Sequence, residues 1–178
     1  VVDSRCIGCG NCVRVCSQEA KRVRNTTGQV IDLLAGPAPV AACVAPSFPA
    51  AFPGVDFRCL VGMIRMTGFD YVHEVAFGAD LVAREYRALL ERGGSRRYIS
   101  TNCPAIIGYV ERYYPHQVGA LAPIVSPMVA TARVVRQLHG KDTQVVFFGP
   151  CIAKKCEAID GNLPGEVDAA STFIGLQR

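Results

Sequence analysis

The chain alternates between short, continuous apolar runs and longer amphipathic stretches. Val40 to Ala45 is an uninterrupted apolar run closed by Pro46, the pattern of a strand buried on both faces. Residues 56–67 place Phe57, Leu60, Val61 and Ile64 on one face of a helix, and Tyr71 to Val75 predicts a second strand. Residues 79–91 predict a helix capped by Asp80, with Leu81, Val82, Tyr86, Leu89 and Leu90 as its apolar stripe and Gly93-Gly94 as its stop. Arg97 to Thr101 reads as a third strand. Pro104 then suits the first residue of a helix reaching Tyr114. Pro127 opens a further helix through Leu138 with Gly140 behind it, and Val145 to Phe148 predicts a fourth strand ended by Gly149-Pro150.

Strands that alternate with helices imply an α/β fold with a mainly parallel sheet. The pattern begins only after a connector with Asn25, Gly28, Gly36 and Pro37, in which residues 29–35 suit a short helix. The expected organisation is therefore a small cysteine-rich module over residues 1–28 and an α/β domain over residues 36–178.

Composition narrows the class. At 178 residues, 50% hydrophobic and 19% charged, the chain can bury a core of its own and is not disordered. The uncharged stretches 36–55 and 117–132 do not suit membrane spans: the first holds Pro37, Pro39, Pro46, Pro49 and Pro53, and the second is short and holds Pro123 and Pro127. The formal charge of +4 counts every thiol as neutral. A cubane on four thiolates carries roughly −2, so the basic balance is weak ground for a nucleic-acid partner. Arg5, Arg14, Lys21, Arg22 and Arg24 surround the N-terminal cysteines as a solvated basic face or a docking patch for an acidic redox partner such as a ferredoxin. Nine cysteines, four of them in the first 16 residues, with no signal peptide, point to metal binding in a reducing, cytoplasmic compartment. The chain starts at Val1 without an initiator methionine and is expected to be part of a longer polypeptide, truncated at its C-terminus.

Cys6, Cys9, Cys12 and Cys16 follow the spacing C-x2-C-x2-C-x3-C. A tight loop carrying the first three can wrap one 4Fe-4S cubane, with soft thiolates on soft iron. Gly8 and Gly10 let the backbone turn sharply and bring amides close to the sulfides. A zinc site is the alternative, but zinc motifs group cysteines in separated pairs. The run resembles bacterial ferredoxins, except that Ser17 stands where they have proline after the last cysteine. Cys16 either closes this cubane or ligates a second, neighbouring 4Fe-4S cluster; the spacing allows both.

Cys103 follows the third expected strand and Cys151 the fourth, which would place both at the carboxyl edge of a parallel sheet, where α/β proteins put their sites. Cys103 also precedes Pro104 at a helix start, and Lys154 can set a cation near an anionic ligand. Thr101-Asn102-Cys103-Pro104 and Gly149-Pro150-Cys151-Ile152-Ala153-Lys154-Lys155, with Glu157, resemble the first two signature motifs of [FeFe]-hydrogenases. Ala45-Pro46-Ser47 and Ser126-Pro127-Met128 resemble that family's pocket-lining segments.

The resemblance implies an iron-hydrogenase-type fold and reversible reduction of protons to H2. Cys103 and Cys151 would be two of four cysteines on the cubane of the H-cluster (a 4Fe-4S cubane plus a di-iron unit). Lys154, with Glu157, would serve the catalytic site, Lys154 by hydrogen-bonding a cyanide of the di-iron part. Ala45, Pro46, Ser126 and Pro127 would line the cofactor pocket. Two departures matter. Nothing up to Arg178 resembles the family's third, two-cysteine motif, so these residues alone are not expected to build the whole H-cluster. Asn102 stands where catalytic members have a proton-shuttling cysteine, and an amide does not titrate near neutral pH. That favours the family's sensory branch, whose members are often joined to signalling domains. Three readings follow: a hydrogenase-like electron-transfer protein, a redox or hydrogen sensor, and a non-catalytic electron carrier.

Among the remaining candidates, Cys43 is expected in the core and Cys59 to be structural. His73, His116 and His139 share no spacing and read as surface or structural residues. Tyr109, Tyr113 and Tyr114 read as helix packing, and a proton-path role for Glu85 is a guess from the resemblance alone.

Overall fold

The computed structural model describes residues 1–159 and 165–177. Among these residues, β1 (Val40–Val44), β2 (Tyr71–Glu74), β3 (Gln144–Gly149) and β4 (Ala169–Thr172) form one all-parallel sheet in the order β2-β1-β3-β4. Every residue of β1, and Val145–Gly149 of β3, is buried. Strands covered on both faces need no polar alternation, which is why these segments are written as continuous apolar runs. Each fully buried valine among them stabilises the fold by about 1.5–3 kcal/mol relative to exposure.

The crossovers are helical. α3 (Phe48–Ala51) and α4 (Phe57–Met66) join β1 to β2, and the Asp56 side chain caps α4 by accepting from the Arg58 amide at 2.8 Å. α5 (Ala76–Arg92), α6 (Pro104–Tyr113) and α7 (Pro127–His139) lie between β2 and β3, while α8 (Ala153–Glu157) leads to β4. α9 (Phe173–Leu176) follows β4, and α2 (Thr27–Leu34) precedes β1. α7 packs on β1 and β3, α4 on β2, and α2 and α9 on β4. α5 and α7 cross closely at Gly78, where a methyl group would strike the Pro127 carbonyl and the Thr131 hydroxyl.

Two expectations are corrected. Arg97 to Thr101 is not a strand of the sheet: only Ile99 makes a bridge, to Leu121, outside it. Its β-favouring side chains serve a clip instead. The Thr101 amide donates to the Tyr86 hydroxyl (2.8 Å) and the Thr101 hydroxyl donates to the Ile124 carbonyl (2.5 Å). Asp80 does not cap α5, which starts four residues earlier, because the Gly78 contact with α7 holds that turn in the helix. His73 and His139 are structural, as the sequence suggests, and they face each other. Their Nε2 atoms lie 2.9 Å apart, joining β2 to the end of α7.

The sequence reading had no element in the segment of β4 and α9. Arg136 of α7 anchors that strand, donating to Asp168 at 2.7 Å and to the Thr143 carbonyl at 3.1 Å, while Asp168 accepts from the Val145 amide at 2.6 Å. None of the helices among the described residues is long and apolar enough to cross a membrane.

Candidate metal centre

Cys6 and Cys9 lie on a loop between a short 3-10 turn (Asp3–Arg5) and α1 (Asn11–Arg14), Cys12 lies in α1 and Cys16 just after it. Gly8 (φ 70°) and Gly10 (φ 78°) both adopt the left-handed conformation. A side chain there is strained in itself, and one on Gly10 would also strike Ile152 at 2.6 Å. The glycines thus turn the chain between Cys6, Cys9 and Cys12 and let it lie against the start of α8. Cys16 sits in a nest of its own. The backbone amide of Ala20, aided by those of Gln18 and Lys21 and by the Lys21 charge, outweighs burial and lowers its pKa. All nine cysteines are free thiols. A soft thiolate set on a loop of left-handed glycines, with amides facing the fourth thiol, fits a 4Fe-4S cubane. Among the described residues no three His, Cys, Asp or Glu side chains converge as a single metal ion would require.

The second set of candidates gathers at the sheet's carboxyl edge. β1 and β3 are neighbours, but the chain leaves β1 for β2 on one side and β3 continues to β4 on the other, a topological switch point that opens a crevice beyond the strand ends. Ala45 and Pro46 leave β1 there, and Pro150 and Cys151 leave β3. The Ala45 amide donates to the Phe148 carbonyl (2.8 Å), and Ala45 Cβ lies 3.1 Å from where a side chain on Gly149 would start. Ala45 is buried and Pro46 exposed.

Cys103 reaches this edge by another route than the expected strand. It occupies the N-cap position of α6, extended (φ −108°), with Pro104 as the first helical residue. α6 packs on α8. Lys154 Nζ donates to the Asn102 carbonyl at 3.3 Å and to Glu157 at 2.6 Å. Lys154 and Glu157 are 9% and 7% exposed, so this is a buried pair one helical turn apart. The Lys154 bond to the Asn102 carbonyl ties the Cys151 segment to the Cys103 segment. Thr101 ties the latter to residues 122–124, just before Ser126. Ser126 is buried and caps α7 through its hydroxyl, with Pro127 behind it. Cys103 and Cys151 are both exposed.

The two sets meet at α8. A side chain on Gly8 would begin 3.3 Å from Cys156 Sγ and 3.5 Å from Ala153 Cα; Gly108 of α6 would likewise meet Ile7. The Tyr113 hydroxyl donates to the Arg5 carbonyl (2.9 Å) and Lys155 to the Arg24 carbonyl (2.7 Å), pinning both ends of the module. Burial first, then the charge of Cys6, push the Cys156 thiol up; Arg112 opposes this, and the charge of Cys151 adds the smallest upward effect. Cys156 therefore lies within electrostatic reach of both cysteine sets.

A family model described as "Iron only hydrogenase large subunit, C-terminal domain" matches residues 38–178. The chain belongs to this family. A second model, "4Fe-4S binding domain", matches residues 1–22. The "NADP-reducing hydrogenase subunit HndD" of Solidesulfovibrio fructosivorans is 27% identical, with an alignment covering 100% of this chain and 36% of that protein. "Iron hydrogenase 1" of Clostridium pasteurianum is 30% identical over 53% of this chain and 18% of its own length. The chain thus spans about a third or less of the relatives it matches. It is an iron–sulfur protein of the iron-hydrogenase family with a parallel α/β lobe.

Several site residues escaped the sequence reading. Tyr86, taken as part of an apolar stripe, spends its hydroxyl on Thr101. Tyr113, taken as helix packing, is exposed and holds the module instead. Each pairing spans a sequence gap that no local pattern carries. Cys43 is buried in β1 as expected, its thiol pushed up to about 12 chiefly by burial, and Cys59 is exposed on α4. Glu85 is exposed on α5. His116 is exposed, its ring 6.2 Å from that of Tyr114.

Proposed function

We propose that this chain is the electron-entry part of an [FeFe]-hydrogenase-like protein, in which a relay cluster on Cys6, Cys9 and Cys12 delivers electrons to an inner iron site carrying Cys103 and Cys151. The observation that carries the reading is the docking of the cluster loop, through Gly8, on the helix that follows Cys151. Family membership and the 4Fe-4S domain support it. When bound, an H-cluster supplies reversible proton reduction to H2. The chain's own residues have simpler tasks. Cys103 and Cys151 offer two of the cubane's thiolates. Lys154, held by Glu157, keeps a cation at the crevice, with no second acid needed to neutralise it. Ala45, Pro46, Ser126 and Pro127 would line the crevice, as the family resemblance implies. The basic residues Arg5, Arg14, Lys21, Arg22 and Arg24 suit an acidic redox partner of the ferredoxin kind.

A second reading, a redox or hydrogen sensor linked to a signalling domain, is favoured by one residue. Asn102 offers its backbone carbonyl to Lys154 and an amide side chain where catalysis needs a titratable group. Anaerobic reconstitution of residues 1–178 tests the electron-entry role. Reduction with dithionite should give the EPR signal of a single reduced cubane, and Cys6→Ala, Cys9→Ala or Cys12→Ala should remove it. The same preparation should show no hydrogen–deuterium exchange even with maturation factors. Exchange by this polypeptide would overturn the assignment of Cys103 and Cys151 as only part of the inner ligand set.

A further inference from the structure

Cys156 belongs to neither cysteine motif, yet it stands where the two sets meet. Its Sγ packs on Gly8, between Cys6 and Cys9 of the cluster loop. It sits on α8, five residues after Cys151 and next to Glu157, whose buried pair with Lys154 fixes that turn of the helix. Ala153 of the same helix flanks that contact, its Cα 3.5 Å from where a side chain on Gly8 would start, and Gly8 itself is left-handed. The thiol, on an exposed residue, thus stands against the loop where the loop meets α8.

We propose that Cys156 is a positioning residue for the relay cluster: its thiol seats the Cys6–Cys12 loop on α8 and donates S–H toward the cluster's sulfur shell, setting the reduction potential at which electrons pass toward Cys151. This rests on the relay reading above. A thiol is a weak donor, but hydrogen bonds to cluster sulfur are one of the levers that set iron–sulfur potentials. The reduced cluster carries one more negative charge, so a donor stabilises it more than the oxidised form and raises the potential. Removing the donor lowers the potential, and replacing it with a hydroxyl restores it. A ligand role is not implied: the four-cysteine run can by itself supply a cubane's thiolates, and Cys156 lies outside that run.

The test uses residues 1–178 reconstituted anaerobically, with iron counted and the midpoint potential read by EPR-monitored titration. Cys156→Ala should retain its iron and need a lower potential, by at least a threefold change in the reduction equilibrium, about 28 mV for one electron. Cys156→Ser should return to within that margin of the wild type or above it. Cys59→Ala, a cysteine exposed on α4, should leave the potential where it was. An unchanged potential in Cys156→Ala overturns the inference, as does a Cys156→Ser variant that matches Cys156→Ala. If Cys156→Ala loses its iron, Cys156→Ser decides: iron and potential both kept support the seating role, and iron lost makes Cys156 a ligand and overturns the proposal. Absence of any cubane in the wild type would remove the relay reading itself, and so is distinguishable from failure of this inference alone.

Discussion

The buried Lys154–Glu157 pair makes the sharpest energetic prediction. Its atoms lie 2.6 Å apart, and the side chains are 11% and 5% exposed. Glu157→Leu leaves the ammonium with one weak acceptor, the Asn102 carbonyl at 3.3 Å. Lys154→Met leaves the Glu157 carboxylate without its partner. Breaking a buried pair from one side costs about 3–5 kcal/mol, while replacing both partners with apolar groups of similar volume is often near neutral. The 11% exposure of Lys154 gives its ammonium some access to water, so Glu157→Leu should fall at the low end, about 3 kcal/mol. Lys154→Met should cost at least as much. The double variant should lie within about 1 kcal/mol of the wild type, a coupling well above 2 kcal/mol. Urea unfolding of the cluster-free, reduced chain reads this directly. With a slope of roughly 2 kcal/mol per molar, each single change moves the midpoint down by about 1.5 M. Single variants that cost under about 1 kcal/mol, or a double variant equal to the sum of the two, would refute the claim that these two side chains form a coupled buried pair.

Gly78→Ala should destabilise the chain by about 2–3 kcal/mol, because the new methyl meets the Pro127 carbonyl and Thr131 where α5 crosses α7; a urea midpoint unchanged from the wild type would contradict that crossing. Gly10→Ala should loosen the module through left-handed strain and contact with Ile152, exposing residues 17–24 to limited proteolysis while the sheet stays resistant. His73 has its pKa lowered, first by burial and then by the His139 charge. It is neutral when folded and takes up a proton on unfolding. Its contribution is therefore fully present above the unfolded pKa of about 6.5 and declines as pH falls from there toward the folded value. Stability measured between pH 8 and 5 should drop more steeply in the wild type than in His73→Asn, and identical slopes would remove His73 as the cause.

What could be read from the chain alone was what local chemistry dictates. β1 and β3 show as apolar runs because both their faces are covered. α7 shows because Ser126, Pro127 and Gly140 mark its ends. The N-terminal loop shows because its cysteines and glycines are neighbours in sequence. The errors have one origin. Asp80 looked like a cap only because the contact of Gly78 with a helix some fifty residues on was invisible, and Arg97 to Thr101 looked like a strand because Tyr98, Ile99 and Thr101 favour extended backbone whichever partner they find. The Arg136–Asp168 clamp and the His73–His139 pair join residues 32 and 66 apart, beyond any periodicity. The residues of the second site were legible by resemblance to signature motifs, but the way they assemble was not. Cys103 comes to the crevice through Lys154 and Thr101 rather than from a strand of the sheet.

The central claim is that Cys6, Cys9 and Cys12 hold a relay cubane while Cys103 and Cys151 belong to a separate inner site. The direct measurement is iron per chain after anaerobic reconstitution of residues 1–178, compared with Cys9→Ala and with Cys103→Ala/Cys151→Ala. We expect about four iron atoms in the wild type, the same in the Cys103/Cys151 double variant, and none in stable form in Cys9→Ala. Full iron content in Cys9→Ala, or its loss only when Cys103 and Cys151 are replaced, would contradict the account.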